Sequence, residues 1–128
     1  MIDYEILRRG HCFEVRAIRR LQHGECLLKQ YLGSLDLSDR KKFLRAIRKL
    51  AEYGTPRSSE KYRKLKGCGD LHELKVKPHR LLFFFAGERI AVFTHAFAKH
   101  SDKTPQSELD RAVNLRTEYY ETFGTPDA

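Results

Sequence analysis

The chain has 128 residues, of which 41% are hydrophobic and 33% charged, and its formal net charge is +8. A single domain of this size buries roughly two thirds of its unfolded surface and folds without disulfides or metal. The longest apolar run, residues 81–86, has the length of a buried strand and falls far short of the ~20 residues of a membrane span. Integral membrane, disordered and collagen-like chains are therefore excluded.

The N-terminus, Met1-Ile2-Asp3-Tyr4-Glu5, has no basic segment followed by an apolar one, so no secretory signal is expected. The three cysteines, Cys12, Cys26 and Cys68, form no C-x-x-C. They read as reduced thiols of a cytoplasmic protein, and neither a zinc ribbon nor a disulfide scaffold is expected. The charge is uneven. Residues 36–67 carry 11 basic groups against 4 acidic, whereas residues 104–128 carry 2 against 5. A basic block suits a polyanionic partner, most simply nucleic acid. A solvated helix face or an acidic protein partner gives the same composition.

Residues 4–9 and 12–18 read as short strands around Gly10. Leu28, Tyr31, Leu32 and Leu35 recur at i, i+3, i+4 and i+7, which predicts an amphipathic helix over about residues 25–32. A second helix is predicted over residues 39–53, capped by Ser38 or Asp39, with Phe43, Ile47 and Leu50 as its apolar stripe. Gly54 and Pro56 stop it. Residues 62–69 are basic, contain two glycines and read as a linker. Three strands follow, over residues 71–77, 80–86 and 89–97, with Gly87-Glu88 as a hairpin signal. Connections this short make them antiparallel neighbours. Thr104 and Pro105 are expected to open a last helix as N-cap and first residue. The predicted fold is α+β: two N-terminal helices against an antiparallel meander, then a C-terminal helix, with one sheet face left free for a site.

Strand alternation puts Glu73, Lys75 and Lys77 on one face and His72, Leu74 and Val76 on the other. Arg80 opens the next strand, His95 lies near the end of the third, and Lys99 and His100 follow. Lys75, Arg80, Lys99 and His100 are therefore expected to converge at one edge or concavity of the sheet. Such a cluster holds a phosphodiester and stabilises the extra negative charge of a pentacovalent transition state. Arg does so with a bidentate fork and Lys as a point charge. A metal-free ribonuclease also needs a base for the 2′-hydroxyl and a proton source for the leaving oxygen. His100 titrates near neutrality and suits either task, and Glu73 is a weaker base. Arg80 has Glu73 as an alternative partner across the hairpin. His95, in an apolar strand, reads as a hydrogen-bonded core histidine, and His11, His23 and His79 as surface or turn residues. Phe83, Phe84 and Phe85 read as core on both faces rather than a base-stacking platform. No metal-ligand spacing, P-loop, dinucleotide fingerprint or G-x-S-x-G is present, so no metal or cofactor is expected.

Several spaced segments carry a family resemblance. They are Leu50-Ala51-Glu52-Tyr53-Gly54, Leu65-Lys66-Gly67, Leu71-His72-Glu73-Leu74-Lys75, Arg80-Leu81-Leu82-Phe83-Phe84 and the run Phe97-Ala98-Lys99-His100-Ser101-Asp102-Lys103-Thr104-Pro105. Over about residues 40–120 the chain resembles the phage-derived, HigB-like branch of the RelE toxin superfamily. The resemblance implies a single RelE-like domain over residues 1–128. It also implies a type II toxin–antitoxin toxin that binds the ribosomal A site and cleaves mRNA there without a metal. Lys75 falls where the branch carries the Arg of Glu-Leu-Arg. Arg80 falls on a family Arg, and Lys99 on the first of two lysines, the second being His100 here. A small antitoxin, often with a helix-turn-helix domain and encoded by the adjacent gene, is the implied partner, beside mRNA and the ribosome. RNA contacts are expected at Lys66 and, along the basic helix, at Arg40, Lys41, Arg45, Arg48 and Lys49. Two other readings share the fold: a binding module or regulator without catalysis, and a gyrase-directed toxin of the ParE type.

Overall fold

The computed structural model describes residues 1–22, 24–99 and 103–126. The chain opens with two strands, β1 (Ile2–Arg9) and β2 (Glu14–Arg20), so the expectation that two helices lead the fold is corrected. After them come β3 (Glu25–Cys26), α1 (Leu27–Gly33) and α2 (Leu37–Tyr53). The second half holds β4 (Tyr62–Lys64), β5 (His72–Val76), β6 (His79–Phe85), β7 (Ile90–Ala98) and α3 (Gln106–Phe123).

All strands share one sheet, in the order β1-β2-β7-β6-β5-β4 with β3 beside β2. The meander β4 to β7 is antiparallel throughout. The N-terminal hairpin joins it through a parallel pair, with Val15 opposite Ala91 and Ala17 opposite Phe93. Burial explains this placement. Val15, Ala17 and Ile18 in β2 are all inaccessible, so β2 needs cover on both faces and sits inside the sheet. The crossover that a parallel pair demands is supplied by α1, α2 and the meander.

Helices cover both faces. On one side Leu28 and Leu32 of α1 and Phe43, Ile47 and Leu50 of α2 pack on Val15, Leu74, Leu81, Phe83 and Phe93. On the other, Ala112, Leu115 and Tyr119 of α3 pack on Ile2, Ile18, Leu82, Phe84 and Val92. Phe83 and Phe84 thus bury into opposite cores. The expectation of a free face is corrected to a half-covered one, because α3 lies chiefly over β1, β7 and β6.

The local signals act largely as polymer chemistry requires. α2 begins two residues earlier than its apolar stripe suggests, and Asp36, not Ser38 or Asp39, caps it by accepting the Asp39 amide at 2.8 Å. Its C-terminus stops at Gly54, with φ of 86° and its amide on the Leu50 carbonyl at 3.0 Å. The segment read as a linker contains β4, whose three residues are too few to show an alternation. Its pairing is imposed by β5, with Tyr62 opposite Leu74 and Arg63 opposite Glu73.

The β1–β2 turn is pinned to the end of α2. The Ala51 carbonyl accepts from Cys12 at 2.8 Å and from Phe13 at 2.9 Å. Gly10 lies so close that a Cβ there would stand 2.3 Å from that same oxygen. Gly10→Ala should therefore destabilise the fold by about 1–3 kcal/mol, as overpacking against backbone does. Urea unfolding checks this, and a midpoint equal to that of the parent chain would contradict the close approach.

Candidate functional site

Register brings the site together. Arg63 opposes Glu73, and Lys75 opposes Arg80. Directly opposed residues share a face, so all four side chains lie on the side that α3 half covers. In β7, Leu82 pairs with His95 while Phe83 pairs with Phe93, which leaves Thr94 as an extra residue. This bulge holds His95 and Phe97 on the same face as Leu82 and Arg80. Lys99 follows β7, and its amide donates to the Pro78 carbonyl at 2.9 Å, which fixes it beside the β5–β6 turn.

Glu73 is the centre, with no solvent exposure. Arg63 Nε donates to its Oε2 at 2.6 Å. Arg80 Nε stands 3.3 Å from Oε1, and Lys99 Nζ 3.9 Å from the same oxygen. Thr104 Oγ1 ties the group together. It accepts from Arg63 Nη2 at 3.0 Å and from Lys99 Nζ at 3.4 Å, and lies 3.5 Å from Glu73 Oε1. Arg80 Nη1 donates to the His79 carbonyl at 3.0 Å, while its buried Nε makes no hydrogen bond among the described residues.

Among the described residues, three cations around one carboxylate leave an excess of two positive charges, with Arg80 and Lys99 mostly out of solvent and Arg63 partly exposed. Charge of one sign is costly there until an anion arrives. Lys99 registers the excess. Burial pushes its ammonium below the usual lysine range. Glu73 pulls it back, and Arg63, Arg80 and Lys75 push it down again. A lysine so placed exchanges protons more readily than a surface lysine.

Beside the cluster runs an open groove of about 790 Å³, lined by Arg63, Lys64, Leu65, Lys66, Lys103, Thr104, Pro105, Gln106 and Leu109. Lys75 donates to the Ser59 carbonyl at 2.8 Å. With Lys42, Arg45 and Lys49 of α2 it also lines a hollow of about 230 Å³. Lys75 thus links the cluster to the basic helix around the sheet edge.

The sequence-predicted residues fall as follows. Lys75, Arg80 and Lys99 share the neighbourhood of Glu73, and Lys66 stands exposed on the groove. His100 lies outside the described residues. Lys41, Arg45, Arg48 and Lys49 are exposed on α2, whose buried stripe packs on the opposite sheet face. Arg40 turns inward and donates to the Leu32 and Leu35 carbonyls at 3.2 and 3.1 Å, closing the C-terminal end of α1. Thr104 is not a helix cap. Pro105 holds that position, and Thr104 is buried against Glu73. His79, expected to be a surface or turn residue, opens β6 and is buried between Tyr31 and Asp39, at 2.7 and 3.1 Å. Sequence reasoning missed Arg63 entirely. The signal for it was its place ten residues before Glu73, the offset of a strand partner, hidden by the basic, glycine-containing stretch around it.

His95 is a core histidine, 1% exposed, with Nε2 3.3 Å from Glu108 Oε1. Burial lowers its pKa to about 4, with Arg111 adding to the effect. The folded state thus holds His95 neutral where the unfolded chain protonates it. Its stabilisation is complete above about pH 6.5 and is lost as pH falls towards about 4. The loss amounts to about 2–4 kcal/mol. His95→Gln should flatten this part of the stability–pH curve, and an unchanged slope would contradict the assignment.

Among the described residues, no group of three or more His, Cys, Asp or Glu side chains is placed to hold a metal ion. No helix there is long and apolar enough to cross a membrane. Fold and site together define a small mixed α+β domain that carries a buried, carboxylate-centred cation cluster beside a basic groove.

Residues 30–117 match the family model described as "Phage derived protein Gp49-like (DUF891)", and the chain belongs to that family. An uncharacterized protein of Aquifex aeolicus (strain VF5) is 33% identical over 94 residues, covering 69% of each chain. A chain from the crystal structure of the archaeal RelE–RelB complex of Pyrococcus horikoshii OT3 superposes with a TM-score of 0.49. It is 17% identical, and the match covers 74% of this chain and 97% of that one.

Proposed function

We propose that this protein is the toxin of a type II toxin–antitoxin module, of the HigB-like kind, and that it cleaves mRNA on the ribosome without a metal. The single observation that carries the reading is the buried cluster in which Arg63, Arg80 and Lys99 surround one carboxylate and leave positive charge in excess. A phosphodiester supplies the missing anion. In the reaction the 2′-oxygen bonds to the adjacent phosphorus and the bond from phosphorus to the 5′-oxygen breaks. The products are a 2′,3′-cyclic phosphate and a 5′-hydroxyl. Arg80 aims its guanidinium at the phosphoryl oxygens as charge builds on them. Lys99 delivers a proton to the departing 5′-oxygen, and His100, the next residue, takes the proton of the 2′-hydroxyl. Lys75 adds positive charge at the rim. Glu73 holds the cations in place and does not touch the substrate.

The remaining assignments follow from charge. Lys66 meets the message. The exposed Lys41, Arg45, Arg48 and Lys49 meet ribosomal RNA, while Arg40 supports the helix pair. The protein works in the cytoplasm, and its antidote is a small helix-turn-helix protein from the neighbouring gene. The test is tightly controlled expression in growing bacteria with mapping of the 5′ ends of abundant messages. Growth arrest with new ends inside translated regions is the expected result. Arrest with DNA damage and intact messages would replace this reading with a gyrase-directed one. Continued growth at full soluble expression would replace it with a non-catalytic module.

A further inference from the structure

Arg63 was assigned no role by sequence, yet it is the cation that joins the buried cluster to the groove. Its Nε and Nη2 are held by Glu73 and Thr104, and its side chain is 38% exposed. Its third nitrogen, Nη1, makes no hydrogen bond among the described residues. An arginine clamped on one edge and open on the other is oriented without being used up. Beside it Lys64 and Lys66 stand exposed, and none of the described side chains that line the groove is acidic. The floor is different in character. Leu65 is buried, Leu109 half-buried and Pro105 exposed, which gives an aliphatic shelf next to a row of cations. The volume of about 790 Å³ lies in the range of small-ligand sites. A cationic wall with an apolar shelf matches a nucleotide, whose backbone is charged and whose base has apolar faces.

We propose that this groove is a nucleotide subsite for single-stranded RNA, with Arg63 gripping the phosphate next to the scissile one and the shelf of Leu65, Pro105 and Leu109 taking that nucleotide's base. The inference rests on the ribonuclease reading for the identity of the strand, and it adds a second phosphate position and a positioning residue. Arg63 does no proton transfer. It sets where the strand lies relative to Arg80 and Lys99.

The test uses a fluorescent 2′-O-methyl tetranucleotide, which has no free 2′-hydroxyl and stays uncut, titrated into the full chain at several salt concentrations. The parent chain should bind it weakly, in the micromolar range or above. Arg63→Gln should weaken binding about tenfold and flatten the dependence of log affinity on log salt by about 0.7, the loss of one contact to single-stranded phosphate. Arg63→Lys should restore the salt slope but only part of the affinity, because it keeps the charge and loses the fork. A tetranucleotide of the same backbone with abasic sites should bind more weakly at the same salt slope. Thermal unfolding of each variant separates a lost contact from a lost fold. Equal affinity and slope for folded Arg63→Gln would overturn the phosphate assignment, and equal binding of the abasic strand would overturn the shelf. Binding that follows Arg63 with no message cleaved in cells would sustain the subsite and overturn the ribonuclease. Cleavage in cells that ignores Arg63 would do the reverse.

Discussion

Replacing Glu73 by alanine should destabilise the fold by about 3–5 kcal/mol, the cost of removing one partner from a buried charge group. The carboxylate is inaccessible, and Arg63, Arg80 and Lys99 are all arranged around it. Without it the mostly buried Arg80 and Lys99 lose their carboxylate beside the partly exposed Arg63, and Thr104 loses a neighbour at 3.5 Å. Glu73→Gln keeps the shape and one acceptor oxygen, so its cost should be smaller. Urea unfolding of both variants gives the comparison. An alanine variant within 1 kcal/mol of the parent chain would mean that solvent, not Glu73, balances the cations.

The second large effect is on chemistry. Arg80→Ala should lower the rate of message cleavage about 10²–10³-fold, the usual loss when a preorganised oxyanion donor is removed. Arg80 is mostly buried, with Nη1 on the His79 carbonyl and Nε facing Glu73, so Nη2, which makes no hydrogen bond among the described residues, is the donor left for the reaction. Stability should change much less than for Glu73→Ala, because Glu73 keeps Arg63 and Lys99 as partners. Arg80→Lys should recover part of the rate, since it supplies charge without the fork. Single-turnover cleavage on translating ribosomes measures this. A folded alanine variant as fast as the parent chain would remove Arg80 from the chemistry.

Where a residue's environment was local, the sequence disclosed it. Strand alternation separated Glu73 and Lys75 from Leu74 and Val76. The consecutive phenylalanines at 83 and 84 required a sheet with core on both sides, and His95 read correctly as a core residue. Where the environment was set by distant partners, the sequence was silent. The parallel pairing of β2 with β7 joins residues 76 positions apart, and nothing near Val15 announces it. Arg63 acquires its meaning from Glu73 across a strand of only three residues. Thr104 followed by Pro105 looks like a helix cap, and a cap and a buried ligand of Arg63 have the same local sequence. His79 followed a proline and looked like a turn, but Tyr31 and Asp39 close over it. The basic helix was visible as charge, yet only the structure separates Arg40, spent on the carbonyls of α1, from the exposed lysines and arginines beside it.

The chemistry proposed for this site is metal-free transesterification of a ribosome-bound message by basic side chains arranged around Glu73. The most direct test is a purified reconstituted translation reaction given the parent chain, with the cut ends identified chemically. Cuts are expected within codons, only when ribosomes are translating, with 5′-hydroxyl ends opposite 2′,3′-cyclic phosphates. Ends bearing a 5′-phosphate, or cuts made equally well on free RNA, would contradict that chemistry.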